Sequence, residues 1–154
     1  MAHRILIVFA VVGALVFAAS AAARPGQQLE AVTLRVVFPE GFSARQMADR
    51  VAEVRRIAIA KRHVTPRLTG SGYATAVRSA RPPQAFSRYL KRRSLEGFLF
   101  PALYEFSPDT TASTLVQNQL AAFTQRWRSV DVRAARRRGL TPYDVLSIAS
   151  MVER

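Results

Sequence analysis

The sequence predicts an α+β protein: an N-terminal membrane helix, a small βα unit, then a largely helical part containing one aromatic strand. Three observations carry this reading. Residues 5–23 are uncharged, with only Gly13 and Ser20 interrupting the apolar run. Residues 32–38 place Val32, Leu34, Val36 and Phe38 on one side, the period of a half-buried strand. Beyond residue 42, apolar residues recur at helical spacing behind capping residues.

The N-terminal run is long enough for a bilayer core, which takes about 20 residues. It has no polar face, which excludes an amphipathic helix packed on a soluble core. Two readings remain. One is a cleaved signal peptide, with Arg4 as its basic region and a small-residue cleavage site near Ala19–Ala23; the other is an uncleaved signal anchor. Either delivers the remainder to the outer side of the cell membrane, as a single-pass protein if the anchor persists. Residues 24–31, opening on Arg24-Pro25-Gly26, read as a linker.

After the strand, Pro39-Glu40-Gly41 makes a turn. Ser43 with Gln46 forms a capping box, and Ala44, Met47, Ala48 and Val51 stand at i, i+3, i+4 and i+7, so a helix covers residues 43–54. Residues 57–64 admit a helix, and residues 65–83 are interrupted by Pro66, Gly70, Gly72, Pro82 and Pro83. That stretch is either a loop with a short helix near residues 74–79 or a boundary between subdomains. Residues 84–93 suit a short helix. Glu96–Phe106 is dense in aromatics (Phe98, Phe100, Tyr104, Phe106) and reads as extended chain on a core, with Pro101 restricting it to an edge or bulged strand. Val116, Leu120, Phe123 and Trp127 define a helix over 112–128. A second covers about 131–138 and stops at Gly139. Thr141 caps a third, with Pro142 at its first position.

Composition narrows the chemistry. No cysteine is present, so disulfides, thiolate catalysis and Cys-ligated metal are excluded. His3 and His63 are far apart and lack acidic company, so no metal site and no cofactor are expected. Net charge is +13, which favours anionic partners such as lipid headgroups or wall polymers, or reflects an arginine-rich composition alone. Arg55-Arg56, Lys91-Arg92-Arg93 and Arg136-Arg137-Arg138 are clustered, but without any nucleic-acid-binding pattern. Nucleic acid is therefore not expected as a partner, and export would remove it.

On the last helix, Val145, Ile148, Ala149 and Val152 form the expected buried face. Glu153 lies about 100° from its centre, flanked by Ala149 and Ser150. This position admits two readings. Glu153 is a solvated acid near a helix end, or it is a carboxyl held against apolar surface, where desolvation favours the protonated form that a general acid needs.

The residues themselves favour the second reading. "LEGFLFPALYEF" followed by "RGLTPYDVLSIASMVER" resembles the endolytic murein transglycosylases of the YceG-like family. The first block matches at Glu96, Gly97, Phe98, Leu99, Phe100, Pro101 and Tyr104. The second matches at Gly139, Leu140, Thr141, Tyr143, Val145, Leu146, Ala149, Ser150, Val152 and Glu153. The two blocks in this order are specific where either alone is weak. The unit at 32–54 resembles, more loosely, the LysM-like subdomain that precedes the catalytic part in this family. The resemblance implies residues 1–23 as signal anchor or signal peptide, 24–31 as linker, 32–83 as a LysM-like subdomain, and 84–154 as an incomplete catalytic domain.

It also implies a lyase acting on peptidoglycan glycan strands. Such an enzyme cleaves the bond from N-acetylmuramic acid to N-acetylglucosamine and leaves a 1,6-anhydro end, in the service of wall synthesis and remodelling. Glu153 would be the catalytic acid–base. Glu96, Tyr104 and Ser150 would contribute to substrate binding, although Glu96 equally suits a turn-anchoring role and Tyr104 a packing role. Cell-wall synthases are implied partners, and the membrane is engaged through residues 5–23. The sequence departs from the family's pattern at Ala102-Leu103, where an Asp-Thr pair is usual. Family members also continue past the catalytic glutamate, so the resemblance implies a fragment of low activity alone. A membrane-anchored wall-binding module without chemistry is the alternative.

Overall fold

The computed structural model describes residues 32–90 and 94–152, which belong to one compact unit covering residues 31–154. The apolar segment 5–23, the linker 24–31 and Glu153 lie outside the described residues. Among those described, no helix is long and apolar enough to cross a membrane.

The architecture is mixed, with six helices and two strands among the described residues. Strand β1, Leu34–Val37, pairs antiparallel with β2, Leu103–Phe106, in the register Leu34 to Phe106 and Val36 to Tyr104. The alternation expected of β1 is present: Leu34, Val36 and the following Phe38 are buried. Arg35 faces out and pairs with Glu105 across the strands at 2.9 Å. Pairing reaches one residue beyond β1, where the Phe38 amide donates to the Ala102 carbonyl at 3.0 Å.

Helix α1, Ala44–Arg62, begins with the expected capping box between Ser43 and Gln46. It continues without a break from the capped stretch 43–54 through residues 57–62, which the sequence admits as helix, because Ala58 still faces the core, at 3% exposure. It stops at His63, which takes a left-handed conformation with φ 54°. Helix α2, Gly70–Ser79, packs on α1 and on α4. Here the glycines serve proximity instead of breaking the chain. A Cβ on Gly70 would lie 2.6 Å from the Ala48 carbonyl oxygen and 2.9 Å from the Ala52 Cβ. Gly70→Ala is therefore expected to destabilise the fold by about 1–3 kcal/mol, since the backbone contact outweighs the helix-propensity gain of at most ~1 kcal/mol. Urea denaturation of the two proteins measures this.

Helix α3, Gln84–Ser87, is one turn anchored by Phe86. Helix α4, Ala112–Trp127, is capped by Thr111 and buries Val116, Leu120 and Phe123 as its spacing predicts. Its buried Gln119 accepts a 2.6 Å hydrogen bond from the Tyr73 hydroxyl, and its amide reaches the Met47 sulfur at 3.5 Å. This polar contact ties α1, α2 and α4 together. Burial pushes the Tyr73 phenol far above its ordinary pKa, and the Gln119 hydrogen bond offsets only part of that rise. Helix α5 is Arg133–Arg137, ending before Gly139 at φ 74°; helix α6 is Pro142–Val152.

Two expectations need correction. The aromatic segment does not extend from Glu96: residues 96–98 form a turn that buries Phe98, and β2 starts only after Pro101, which offers no N–H to a ladder. Nor is the predicted face of α6 buried. Ile148 and Val152 are 44% and 79% exposed, and Leu146 packs against the core instead. Helical periodicity marks which residues share a face, but a face is buried only where another element covers it.

Candidate functional site

The N-terminus of α1, the turn at Glu96-Gly97 and helix α6 meet around an open groove. Gly97 sits at φ 83°, a conformation that a side chain resists, and this turns Glu96 towards α1. Both Glu96 carboxylate oxygens accept from the Ala44 amide at 3.2 Å. Glu96 thus caps α1 alongside Ser43, and its charge complements the positive end of the helix dipole. The contact made by the carboxylate is thus to α1 and not within its own turn, and the side chain remains exposed beside the groove.

On one side of Glu96 the groove has a volume of about 640 Å³ and is lined by Glu40, Phe42, Tyr143, Leu146, Ala149 and Ser150 among others. On the other side a recess of about 670 Å³ is lined by Tyr89, Ser94, Thr141, Tyr143 and Asp144. Glu96 and Tyr143 border both. The structure therefore brings two of the predicted residues, Glu96 and Ser150, to one groove. The Ser150 hydroxyl donates to the Leu146 carbonyl at 2.9 Å and keeps its lone pairs free to accept.

Tyr104 lies elsewhere, on β2. Its hydroxyl donates to the Phe100 carbonyl at 2.8 Å, its ring packs on Phe38 at 6.0 Å, and burial pushes its pKa up to about 12. Glu153 follows α6 outside the described residues. Two residues emerge that sequence reasoning did not single out as site residues. Tyr143, 38% exposed, is placed between the two recesses, and Glu40 adds a second carboxylate to the one that Ser150 lines. Tyr143 was legible as part of the second motif block; Glu40 had been read only as a turn residue.

Thr141 and Asp144 fix the start of α6. The Asp144 carboxylate accepts from the Thr141 amide at 2.8 Å and its hydroxyl at 2.7 Å, while the Asp144 amide donates back to the hydroxyl at 3.2 Å. These bonds, led by the hydroxyl, hold the Asp144 pKa below its ordinary 3.8. Because the folded value is depressed, the contribution is complete above the unfolded pKa and is lost as pH falls through the folded one. The first turn of α6 is expected to loosen below pH 3.8, seen as faster exchange of the Thr141 amide. The Asp144→Asn variant should show weaker protection of that amide already at neutral pH, with little further change in acid.

The groove is acidic on a strongly basic chain: Glu40, Glu96 and Asp144 line it, and exposed aromatic surface comes from Tyr143. Carboxylates accept hydrogen bonds from hydroxyl groups, and an aromatic ring packs on the apolar face of a sugar. The arrangement suits a polyhydroxylated neutral ligand better than a polyanion.

The chain belongs to the YceG-like family, whose family model matches residues 17–154. It is similar to proteins named endolytic murein transglycosylase from two strains of Streptococcus pneumoniae, each 27% identical over 136 residues. That match covers 81% of this chain and 24% of each relative. The chain thus spans about a quarter of the length of the curated relatives it matches. A crystal structure of a YceG-like protein from Listeria monocytogenes is similar with a TM-score of 0.45 and 18% identity, covering 70% of this chain and 36% of that one.

Proposed function

We propose that this chain contributes to an endolytic peptidoglycan lytic transglycosylase, anchored through residues 5–23 with its domain on the outer side of the membrane. The observation that supports this most is the groove between Glu96 and α6. Two of the α6 residues that line it, Ala149 and Ser150, stand four and three residues before Glu153 in the sequence, spacings that share a helix side. The name carried by the pneumococcal relatives agrees with it.

In this reading a glycan strand lies along the groove, its hydroxyls on Glu40 and Ser150 and one sugar face on Tyr143. Glu153 gives its proton to the glycosidic oxygen as the bond to the anomeric carbon of N-acetylmuramic acid breaks. The resulting carboxylate then takes the proton of that sugar's 6-hydroxyl, whose oxygen closes on the same carbon. The products are a free 4-hydroxyl on N-acetylglucosamine and a 1,6-anhydro end; the carboxyl is restored and no water is consumed. A single carboxyl suffices because the nucleophile is intramolecular, where ordinary glycosidases need two carboxylates.

The test is digestion of purified peptidoglycan followed by mass spectrometry for anhydro-muropeptides. Two proteins are compared: the chain alone, and the pneumococcal relative with its matched 136 residues replaced by those of this chain. The second is expected to release anhydro ends, and the first to release fewer, because α6 and the groove are open along one side. Sedimentation with peptidoglycan but no cleavage by either protein would replace this reading with that of a wall-binding module.

A further inference from the structure

Strand β1 carries an edge that neither β2 nor the groove uses. The Phe38 amide donates to the Ala102 carbonyl, so Phe38, Val36 and Leu34 turn their backbone groups towards β2. In an antiparallel pair the alternate residues then point the other way. Thr33 agrees, since its carbonyl accepts from the Arg62 guanidinium of α1 at 3.1 Å. The amides and carbonyls of Arg35 and Val37 share this outward side. Among the described residues, no strand and no side chain bonds them.

Beside this edge lies a recess of about 410 Å³ between β1 and the C-terminal half of α1. Leu34, Val54, Ile57 and Ala58 line it, together with the cations Arg35 and Arg62. Val54, Ile57 and Ala58 stand at i, i+3 and i+4, so they share one side of α1. Ile57 is nevertheless 52% exposed. Strand edges are commonly blunted by a nearby charge, which accounts for Arg62. It does not account for an apolar wall beside an unpaired edge.

Charge selects the occupant. No acidic residue lines the recess, and none occurs in the sequence from Val54 to Leu95. Arg62 forms no ion pair among the described residues, and Arg35 gives Glu105 its Nε alone, at 2.9 Å. A second copy of the chain would bring its own net charge of +13, and like charges opposite one another across a strand pair are destabilising. An acidic partner is complementary.

We propose that the outer edge of β1 is a docking site for an extended acidic peptide segment of another protein, which adds to the sheet as a third, antiparallel strand. Antiparallel addition is the more stable per residue, and it bonds the peptide backbone to the outward groups of Arg35 and Val37. Successive side chains of a strand face opposite ways. One set, apolar, enters the recess over Val54, Ile57 and Ala58. The other, acidic, lies across from Arg35 on the solvent side, with Arg62 at the end of the edge. The site is apart from the Glu96 groove, and its test uses no peptidoglycan.

The full chain, labelled with nitrogen-15 and held in zwitterionic detergent micelles, is titrated with the blocked peptide Thr-Val-Glu-Val-Glu-Val-Thr. Binding should slow hydrogen exchange at the Arg35 and Val37 amides and leave those of Leu34 and Val36, already bonded to β2, nearly unchanged. Residues directly opposite in an antiparallel pair share a face, so the glutamate amides are the ones aimed at β1. N-methylation of both glutamates should therefore weaken binding about ten-fold, and N-methylation of two valines, on the peptide's other edge, should leave it within about two-fold. Exchanging both glutamates for lysines should weaken it by about ten-fold or more. Ile57→Ser should weaken it about ten-fold, whereas Ile59→Ser, on another side of α1, should stay within about two-fold of the parent. The peptide comparisons leave the protein unaltered and decide the matter even if a variant fails to fold. Absence of binding, equal binding of the glutamate and lysine peptides, equal binding of the two N-methylated peptides, or an Ile57→Ser variant that binds like the parent would each overturn the proposal. Protection of Arg35 and Val37 that grows with protein concentration in the absence of peptide would overturn it in favour of a second copy.

Discussion

Phe86→Ala should cost the fold about 3–5 kcal/mol, the range for deleting a fully buried aromatic ring. Phe86 is 0% exposed and meets three rings edge-on: Trp127 at 4.8 Å, Phe98 at 5.0 Å and Phe123 at 5.6 Å. Its loss removes both apolar burial and these edge-to-face contacts, and one-turn α3 has no other buried residue to hold it. A domain of this size typically has only about 5–15 kcal/mol in total. Thermal denaturation should show a drop of about 10 °C or more. Because Phe86 pins the chain that leads to Tyr89 and Ser94, the recess beside Thr141 should open as well. A loss under about 1 kcal/mol would mean that the cluster of four rings is not the keystone of this end of the core.

On the proposed function, Glu153→Gln should lower the rate of anhydro-end formation about 10²–10⁴-fold, the usual worth of a positioned acid–base group. The amide keeps the shape of the side chain but can neither deliver the proton to the leaving oxygen nor collect one from the 6-hydroxyl. Substrate affinity should hold, so the effect should fall on kcat and leave KM nearly unchanged. The pneumococcal chimera is the protein in which to measure it. Glu96→Gln is the informative comparison. Its carboxylate caps α1, so its loss should show as about 1 kcal/mol of stability, with a small effect on rate. If Glu153→Gln retained the parental rate in that chimera, the single-carboxyl mechanism would be wrong.

What could be read from the sequence was what local chemistry decides. Ser43 with Gln46, and Thr141 before Pro142, announced two helix starts because the capping partners are three residues apart or fewer. The alternation of Leu34, Val36 and Phe38 announced the strand in the same way. Gly70 misled because its reason is distant: α1 lies against it, and nothing near residue 70 reports that. Phe98 misled because a buried aromatic in a turn has the same composition as one in a strand. For the site, the motif blocks located Glu96 and Ser150, whereas Glu40 joins the groove only through the meeting of the α1 entrance with α6.

The pairing of β1 with β2 joins Arg35 to a partner 70 residues further along the chain. Bringing such remote ends together carries a loop-closure entropy of about 4 kcal/mol, which a ladder of four residues cannot repay unaided. The hairpin-like order of events is therefore unavailable here. Helices α1, α2 and α4 are expected to collapse into a platform before the β1–β2 pairing closes. Until then β1 keeps a bare edge open to other chains, and a chaperone that guards unfolded polypeptides would find its target there.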